Sequence, residues 1–188
     1  RIGRLLGDTG NDMILVGDTL YIVVNTSDKL EIVDTKTWTS VKNIALEKDG
    51  EGANPRSIIE HNGKLFVSCY LKQSSNGGVA VIDTANNYGK DIQWLEVGQS
   101  PEGLTVWENK IYVANSNYEF STWTSNVGSI SIIDGASLTV ETIPNIGFNI
   151  SDVVADAYGD LYVVSRGNYG DILPNLYKMN SNTKAVTD

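Results

Sequence analysis

The chain contains 188 residues, of which 41% are hydrophobic and 20% are charged, and this composition is typical of one globular domain. Its formal net charge of −9 argues against a nucleic-acid partner, because phosphates are bound by basic surfaces. No run of about 18 apolar residues is present, so we predict no transmembrane segment. With one cysteine, Cys69, and one histidine, the chain can form no internal disulfide, and we predict no metal site and no cofactor.

Similar segments with the same order of strands follow one another along the chain. In each, a short apolar strand leads into a turn with Gly or Asn, which accept positive φ angles and suit tight hairpins. A second apolar strand follows directly, a third ends in Asp or Asn, and a weaker fourth strand closes the segment. The second strands begin at Leu20, Leu65, Ile111 and Leu161, and these starts are 45, 46 and 50 residues apart. The four segments cover residues 11–46, 54–97, 100–143 and 149–188.

Short antiparallel strands in repeats of this length predict an all-β fold, a β-propeller of four-stranded blades. A single four-stranded sheet has two apolar faces, and stacking blade against blade around an axis covers both. The alternative, a β-sandwich, does not explain why the same pattern returns in every segment. Four blades are few for a propeller, so we expect the chain to be part of a larger ring. Residues 1–6 are a candidate outer strand of a preceding or closing blade.

Polar residues that differ from blade to blade mark one face of the predicted propeller. If the strands of a blade are labelled A to D from the axis outward, the B–C loops and the starts of the A strands share this face. The B–C loops differ in length while the strands keep their register, as expected where a rigid scaffold presents a site. Three aligned columns are polar and dissimilar: Asn11, Arg56, Glu102 and Ser151; Asp12, Ser57, Gly103 and Asp152; and Asn25, Tyr70, Ser116 and Arg166.

Aromatic residues join these columns from the longer B–C loops. Aromatic rings with Asn and Arg side chains provide flat contact area and directional hydrogen bonds, a combination found in ligand pockets. We therefore predict a ligand-binding site on this face. Its candidate residues are Arg56, Tyr70, Glu102, Asn115, Asn117, Tyr118, Trp123, Arg166, Asn168 and Tyr169.

The histidine and the carboxylates bear on catalysis. His61 lies beside an A–B turn, on the face opposite the variable loops, so a Ser-His-Asp arrangement is not predicted at the site. Asp12, Glu102 and Asp152 cluster near the predicted channel mouth, where two carboxylates in adjacent blades suit an inverting glycosidase, or a calcium ion. Asp near a junction of loop and strand, however, often caps its own turn.

A separate set of acidic residues recurs with the repeat itself. Asp34, Asp83 and Asp134 stand at the ends of the C strands, and Asn180 takes this position in the fourth segment. Regular recurrence indicates a structural role. We predict that each side chain accepts hydrogen bonds from the backbone N–H groups of the following turn.

Several short sequence motifs resemble those of a known group of propellers: Asn54-Pro55-Arg56-Ser57, Ser100-Pro101-Glu102-Gly103-Leu104 and the stretch from Ser165 to Asp171. They are similar to the YncE-like, surface-layer-type propellers, and among these to cell-surface lipoproteins of gut Bacteroidetes. The resemblance implies a seven-bladed ring and export to the cell surface or periplasm. It also implies lipid anchoring at a cysteine upstream of Arg1. Some members look like cobalamin-capturing partners of outer-membrane transporters.

These observations lead to one functional hypothesis and two alternatives. We expect a non-catalytic surface propeller that binds a small molecule or a glycan, with a cobalamin-like nutrient and an outer-membrane transporter as the partners that the resemblance implies. The alternatives are a glycoside-processing enzyme that uses the channel-mouth carboxylates, and a protein-docking scaffold.

Overall fold

The computed structural model describes residues 6–72, 74–85 and 92–187. Consecutive antiparallel strands form four four-stranded sheets in this part of the chain, and a two-stranded hairpin lies between the first and second sheets. The strands are, in chain order, β1 (Gly10–Val16), β2 (Thr19–Val24), β3 (Lys29–Asp34), β4 (Thr39–Ala45), β5 (Glu47–Lys48), β6 (Glu51–Gly52), β7 (Pro55–His61), β8 (Lys64–Cys69), β9 (Gly78–Asp83), β10 (Gln93–Glu96), β11 (Pro101–Trp107), β12 (Lys110–Asn115), β13 (Ser129–Asp134), β14 (Val140–Ile143), β15 (Ile150–Ala155), β16 (Asp160–Ser165), β17 (Asn175–Asn180) and β18 (Val186–Thr187).

The predicted all-β blades are confirmed. Strands β1–β4, β7–β10, β11–β14 and β15–β18 each form one blade, and we number these blades 1 to 4. The innermost strands β1, β7, β11 and β15 pack side by side in that order, as expected around a propeller axis. The candidate strand over residues 1–6 lies outside the described residues except for Leu6. No helix in the described ranges is long and apolar enough to cross a bilayer.

The core consists of layers between neighbouring blades, and strand alternation explains it. Successive side chains on β8 point to opposite faces of the sheet. Leu65 and Val67 pack into a cluster shared with blade 1, whereas Phe66 packs into a cluster shared with blade 3. A third cluster, with Tyr112 from β12 and Val163 from β16, joins blades 3 and 4. Each interior sheet is therefore covered on both faces by its neighbours.

The prediction for the ends of the C strands is also confirmed. The side chain of Asp34 accepts hydrogen bonds from the backbone N–H groups of two turn residues, and Asp134 does the same in blade 3. Asp83 accepts such a bond from the Ala85 N–H, and the Asn180 amide oxygen accepts from the N–H groups of Asn182 and Thr183. Because these backbone hydrogen bonds favour the charged carboxylate, the pKa values of Asp34 and Asp134 are lowered.

Packing between blades predicts which substitutions unfold the protein. Phe66→Ala leaves a cavity in the layer between blades 2 and 3, and we expect it to lower the free energy of unfolding by about 4 kcal/mol. The matched control is Tyr158→Ala, because Tyr158 is 86% exposed and makes no comparable core contact. Urea denaturation followed by circular dichroism measures both. Equal stability of the two variants would contradict this account of the core.

Candidate functional site

A bulge at the start of every A strand shapes the candidate site. The pairing of A and B strands shifts register between Gly10 and Asp12, and at the equivalent place in each of the other three blades. A bulge adds an unpaired residue and redirects nearby side chains without changing the pairing beyond it. The bulges coincide with the two polar columns predicted for the A strands. The residues in these two columns can therefore differ from blade to blade, while the strands that follow keep their apolar register.

Glu102, at the bulge of β11, is the centre of a buried network of hydrogen bonds. Its carboxylate accepts four of them from three residues. Arg56 donates to Oε2 through Nε and Nη2, at 3.1 and 3.0 Å, and Arg166 donates to Oε1 through Nη1 at 3.1 Å. The Tyr70 hydroxyl donates to the same Oε1. The network joins blade 2, which carries Arg56 and Tyr70, to blades 3 and 4.

Two further contacts fix the geometry of the network. The Arg56 guanidinium lies 4.8 Å from the centre of the Tyr70 ring, a cation–π distance, and also donates to the Asn11 amide oxygen. Burial, followed by the negative charge of Glu102, raises the pKa of the Tyr70 phenol, so the hydroxyl remains a donor. Glu102 thus has both of its oxygens occupied by donors from neighbouring blades.

An open pocket lies on one side of this network, and we call it the aromatic pocket. Its volume is about 140 Å³, and its lining consists of Tyr70, Glu102, Tyr118, Phe120, Asn149, Arg166 and Tyr169. The Phe120 ring is centred 5.0 Å from that of Tyr70 and 5.1 Å from that of Tyr118, so the rings form a continuous wall. An engineered cavity of similar volume holds benzene, so this pocket accepts a group about the size of one ring.

A second cavity, of about 250 Å³, lies near the axis, and we call it the axial cavity. Its lining is polar and consists of the eight residues of the two A-strand columns: Asn11, Asp12, Arg56, Ser57, Glu102, Gly103, Ser151 and Asp152. The predicted clustering of these columns is therefore present. Glu102 and its partners form the wall between the axial cavity and the aromatic pocket.

The two aspartates of the axial cavity differ in their surroundings. Asp12 accepts from the Met13 N–H through Oδ1, and from Ser57 and Ile58 through Oδ2, which links blades 1 and 2. Asp152 accepts one side-chain hydrogen bond within the described ranges, from the Val153 N–H. Desolvation raises the pKa of Asp152, and the negative charges of Asp12 and Glu102 contribute in the same direction.

Gly103 allows the close approach of the Asp152 side chain. A Cβ atom at position 103 would lie 2.0 Å from Oδ1 of Asp152, closer than any two such atoms can pack. The residue in the same column of blade 2 is Ser57, whose hydroxyl donates to Asp12 instead. A glycine beside Asp152 therefore makes room for a carboxylate at the place where blade 2 supplies a hydrogen-bond donor.

Five of the predicted ligand-binding residues line the aromatic pocket, and Arg56 supports it through Glu102, whereas the other four lie elsewhere. Asn115 is fully buried and donates to Ser129 and Ser131. Asn117 and Asn168 hold their own loops: Asn117 donates to the Val127 carbonyl, and Asn168 accepts backbone N–H groups of its turn. Trp123 is 78% exposed in the loop that carries Phe120 and does not line the pocket.

Phe120 and Asn149 line the pocket but were not among the predicted site residues. Phe120 lies in the same variable loop as Tyr118, so the loop's aromatic content is the signal that finds it. Asn149 precedes β15 with a positive φ of 50°, and the equivalent residue Asn54 has a φ of 51°. Because a left-handed backbone by itself accounts for an asparagine, the sequence carries no separate sign of a pocket residue there.

The remaining candidates for chemistry lie away from the site. His61 bonds to Asn62 and Asn109 at the A–B turns, on the face predicted for it. Among the residues that the structure describes, no group of three His, Cys, Asp or Glu side chains is arranged to hold a metal ion. That part of the chain therefore contains no ligand cluster of the kind that the calcium alternative needs.

Comparison with known proteins identifies the architecture. No protein-family model and no curated protein sequence matches the chain. The structure is similar to hydrazine synthase of Kuenenia stuttgartiensis, with a TM-score of 0.76 and 18% identity over 99% of this chain and 52% of that chain. It is also similar to the computationally designed Ika8 protein (TM-score 0.62, 8% identity, 94% of this chain and 47% of that chain). A chain of a nidogen/laminin complex matches with a TM-score of 0.61 and 14% identity, over 92% of this chain and 59% of that one.

At these identities the similarity shows the fold alone, which is a β-propeller. The chain spans about half the length of the hydrazine synthase and Ika8 chains that it matches.

The Glu102 network predicts a large effect of removing its central carboxylate. Glu102→Ala leaves Arg56 and Arg166 close together without a counter-charge, and we expect a loss of about 2 kcal/mol of unfolding free energy. The control is Asp18→Ala, because the ion pair of Asp18 with Lys36 is exposed and is expected to contribute less than about 1 kcal/mol. Chemical denaturation measures both variants. A loss in Glu102→Ala no larger than in Asp18→Ala would refute the role of the network.

The raised pKa of Asp152 predicts a pH-dependent gain of stability in Asp152→Asn. The folded state holds the Asp152 proton more tightly than the unfolded state. The free energy of unfolding of the wild-type protein therefore falls as the pH rises from the unfolded pKa of Asp152 through its folded pKa. At neutral pH the variant should therefore be more stable, by less than about 1 kcal/mol since solvent screens a partly exposed carboxylate. Below the unfolded pKa the gain should vanish. Thermal unfolding at several pH values measures it, and a pH-independent gain would point to another cause.

Proposed function

We propose that the chain is a non-catalytic propeller that binds a small molecule or a glycan on the face of its B–C loops. The observation that carries this proposal is the open aromatic pocket beside Glu102, a carboxylate whose two oxygens are both occupied. A carboxylate held by two guanidinium groups and a phenol supports the pocket wall. A general acid or base needs a free position towards the substrate.

The composition of the pocket supports binding. Tyr169 is 72% exposed beside the pocket, so a ligand would cover aromatic surface that otherwise faces water. The walls come from blades 2, 3 and 4, and blade packing holds them in place before any ligand arrives. Pre-formed, partly apolar pockets with a few polar groups are the usual form of small-molecule sites.

The resemblance seen in the sequence extends this proposal. It suggests export to the outer-membrane surface or periplasm, a ring of seven blades, and capture of a cobalamin-like nutrient for an outer-membrane transporter. Exposed apolar side chains on the outer sheet faces support further blades: Met13 and Leu15 on blade 1, and Val154 and Leu176 on blade 4 are each more than half exposed. Apolar faces of this kind are covered by the next blade in a complete ring.

A glycoside-processing enzyme is the alternative favoured by one observation, the raised pKa of Asp152. A carboxyl group that holds its proton suits a general acid, and an inverting glycosidase also needs a second, basic carboxylate. Asp12 lines the same cavity, but its two oxygens accept three hydrogen bonds from Met13, Ser57 and Ile58. The polar lining of the axial cavity suits hydrogen bonding to a ligand more than proton transfer.

The proposal is tested by titrating the protein with cobalamin and with a panel of mono- and disaccharides, using isothermal titration calorimetry. We expect saturable binding of at least one compound, weakened about tenfold by Phe120→Ala and by Tyr169→Ala, because each removes one aromatic wall. Tyr158→Ala, an exposed aromatic on the A–B turn, is the control and should bind as the wild type does. Binding that survives both pocket substitutions unchanged would rule out this site.

The enzyme alternative is tested separately with a panel of glycans and detection of released sugars. We expect no turnover by the wild-type protein. Hydrolysis that is lost in Glu102→Gln or Asp152→Asn, with folding unchanged, would replace the binding proposal by the enzymatic one.

A further inference from the structure

Polar groups on the lining of the aromatic pocket that have no side-chain partner in the described ranges indicate what the ligand carries. The Tyr70 hydroxyl and both Glu102 oxygens are engaged within the Glu102 network. The remaining groups are the Asn149 amide, the unused donors of the Arg166 guanidinium, and the hydroxyls of Tyr118 and Tyr169. The guanidinium is the charged group among them, and Asn149 lies beside it in blade 4.

Asn149 is 2% exposed, yet its side-chain amide makes no hydrogen bond with any residue in the described ranges. Its backbone has an ordinary role: the carbonyl accepts the Arg166 N–H, as the carbonyl of Asn54 accepts that of Tyr70 in blade 2. The positive φ accounts for an asparagine at this position, and the pocket determines what its side chain can bind. In the described ranges the buried side-chain polar atoms without a partner are Asn115 Oδ1 and Ser181 Oγ, so the Asn149 amide is not sealed from solvent. An amide that opens into a pocket without a protein partner is available to a ligand. The Asn149 amide lines the pocket, where a ligand can reach it.

Arg166 uses one of its five N–H donors. Nη1 donates to Glu102, and no other side-chain hydrogen bond of Arg166 is formed within the described part of the chain. Its side chain is 40% exposed. The bond to Glu102 holds the guanidinium in place while the remaining donors stay available. A guanidinium held in this way offers the paired N–H groups that bind carboxylate and phosphate in bidentate fashion.

The balance of charge around the pocket favours an anion. Arg56 and Arg166 carry two positive charges against the single negative charge of Glu102. The Lys72 ammonium lies 5.4 Å from the Phe120 ring centre and adds a third cation at the pocket wall. Asp152 lines the axial cavity on the other side of the Glu102 network. Its charge interacts with that of Arg166, but it makes no hydrogen bond to the guanidinium, and with Asp152 included the three cations still outnumber the two carboxylates.

We propose that the aromatic pocket binds a ring-sized group that bears a carboxylate or a phosphate, with Arg166 and Asn149 as the residues that recognise the anion. This inference rests on the proposed binding function and assigns the chemical class of its ligand. The rings of Tyr118, Phe120 and Tyr169 cover the ring of the ligand, and the anionic group lies against the guanidinium and the amide.

The test compares three probes of similar size in ligand-observed NMR titrations: benzoate, phenyl phosphate and the neutral benzamide. We expect benzoate or phenyl phosphate to bind about tenfold more tightly than benzamide, because a charge-assisted hydrogen bond is absent from the neutral probe. The order of the two anions identifies which group the pocket prefers. Equal affinity for all three probes would overturn the inference.

Two pairs of variants assign the recognition to the named residues. Asn149→Gly removes the amide and tolerates the positive φ, and its matched control is Asn54→Gly, at the equivalent left-handed position of blade 2 and outside the pocket. We expect about a tenfold loss of affinity for the preferred anion in Asn149→Gly and no change in Asn54→Gly. Arg166→Met should abolish the preference for the anion over benzamide, and Arg166→Lys should retain part of it.

Thermal unfolding of every variant shows that the comparison is made between folded proteins. Unchanged anion preference in both Asn149→Gly and Arg166→Met would overturn the assignment. If the three probes bind equally and Phe120→Ala abolishes their binding, the binding function stands and the anionic class falls. If neither the probes nor the panel of sugars and cobalamin bind, both proposals fall.

Discussion

The need of each sheet to cover two apolar faces determines the rest of this structure. The B strands of interior blades send alternate side chains to opposite neighbours, so Leu65 and Phe66, adjacent in sequence, belong to different clusters. No blade can satisfy this requirement alone. Because the side chains along the strands meet this packing requirement, the strand ends and loops on one face do not have to contribute to it. The polar columns and the aromatic loops occupy those positions.

Glu102 joins neighbouring blades at the site, as the apolar layers join them in the core. It is a buried charge, and a buried charge persists only with several partners. Those partners come from neighbouring blades, so the network orients Arg56, Tyr70 and Arg166 with respect to one another. One edge of the Arg166 guanidinium is thereby fixed and the remainder is left open. The pocket geometry therefore depends on a buried ion-pair network that also links blades 2, 3 and 4.

The sequence predicts the fold because the repeat shows it four times. For the same reason it predicts the turn-capping role of Asp34, Asp83 and Asp134, which the hydrogen bonds confirm. The site was readable only in part. Column positions brought Arg56, Glu102 and Arg166 together, since aligned positions must converge around an axis. The loops were not readable, because whether an asparagine faces a pocket or bonds to its own loop depends on backbone contacts. Asn117 does the latter, and Asn149, which resembled an ordinary turn residue, lines the pocket.

The division of the aromatic pocket among three blades has a mechanical consequence. A molecule seated between Tyr70 of blade 2 and Arg166 of blade 4 would bridge two blades that, in the described part of the chain, lie on either side of blade 3. Such a molecule acts as a brace across the middle of the array, and its binding energy is lost if the blades separate. Binding of the proposed ligand would oppose local opening of the array, so we expect the ligand-bound protein to resist proteases better than the free one.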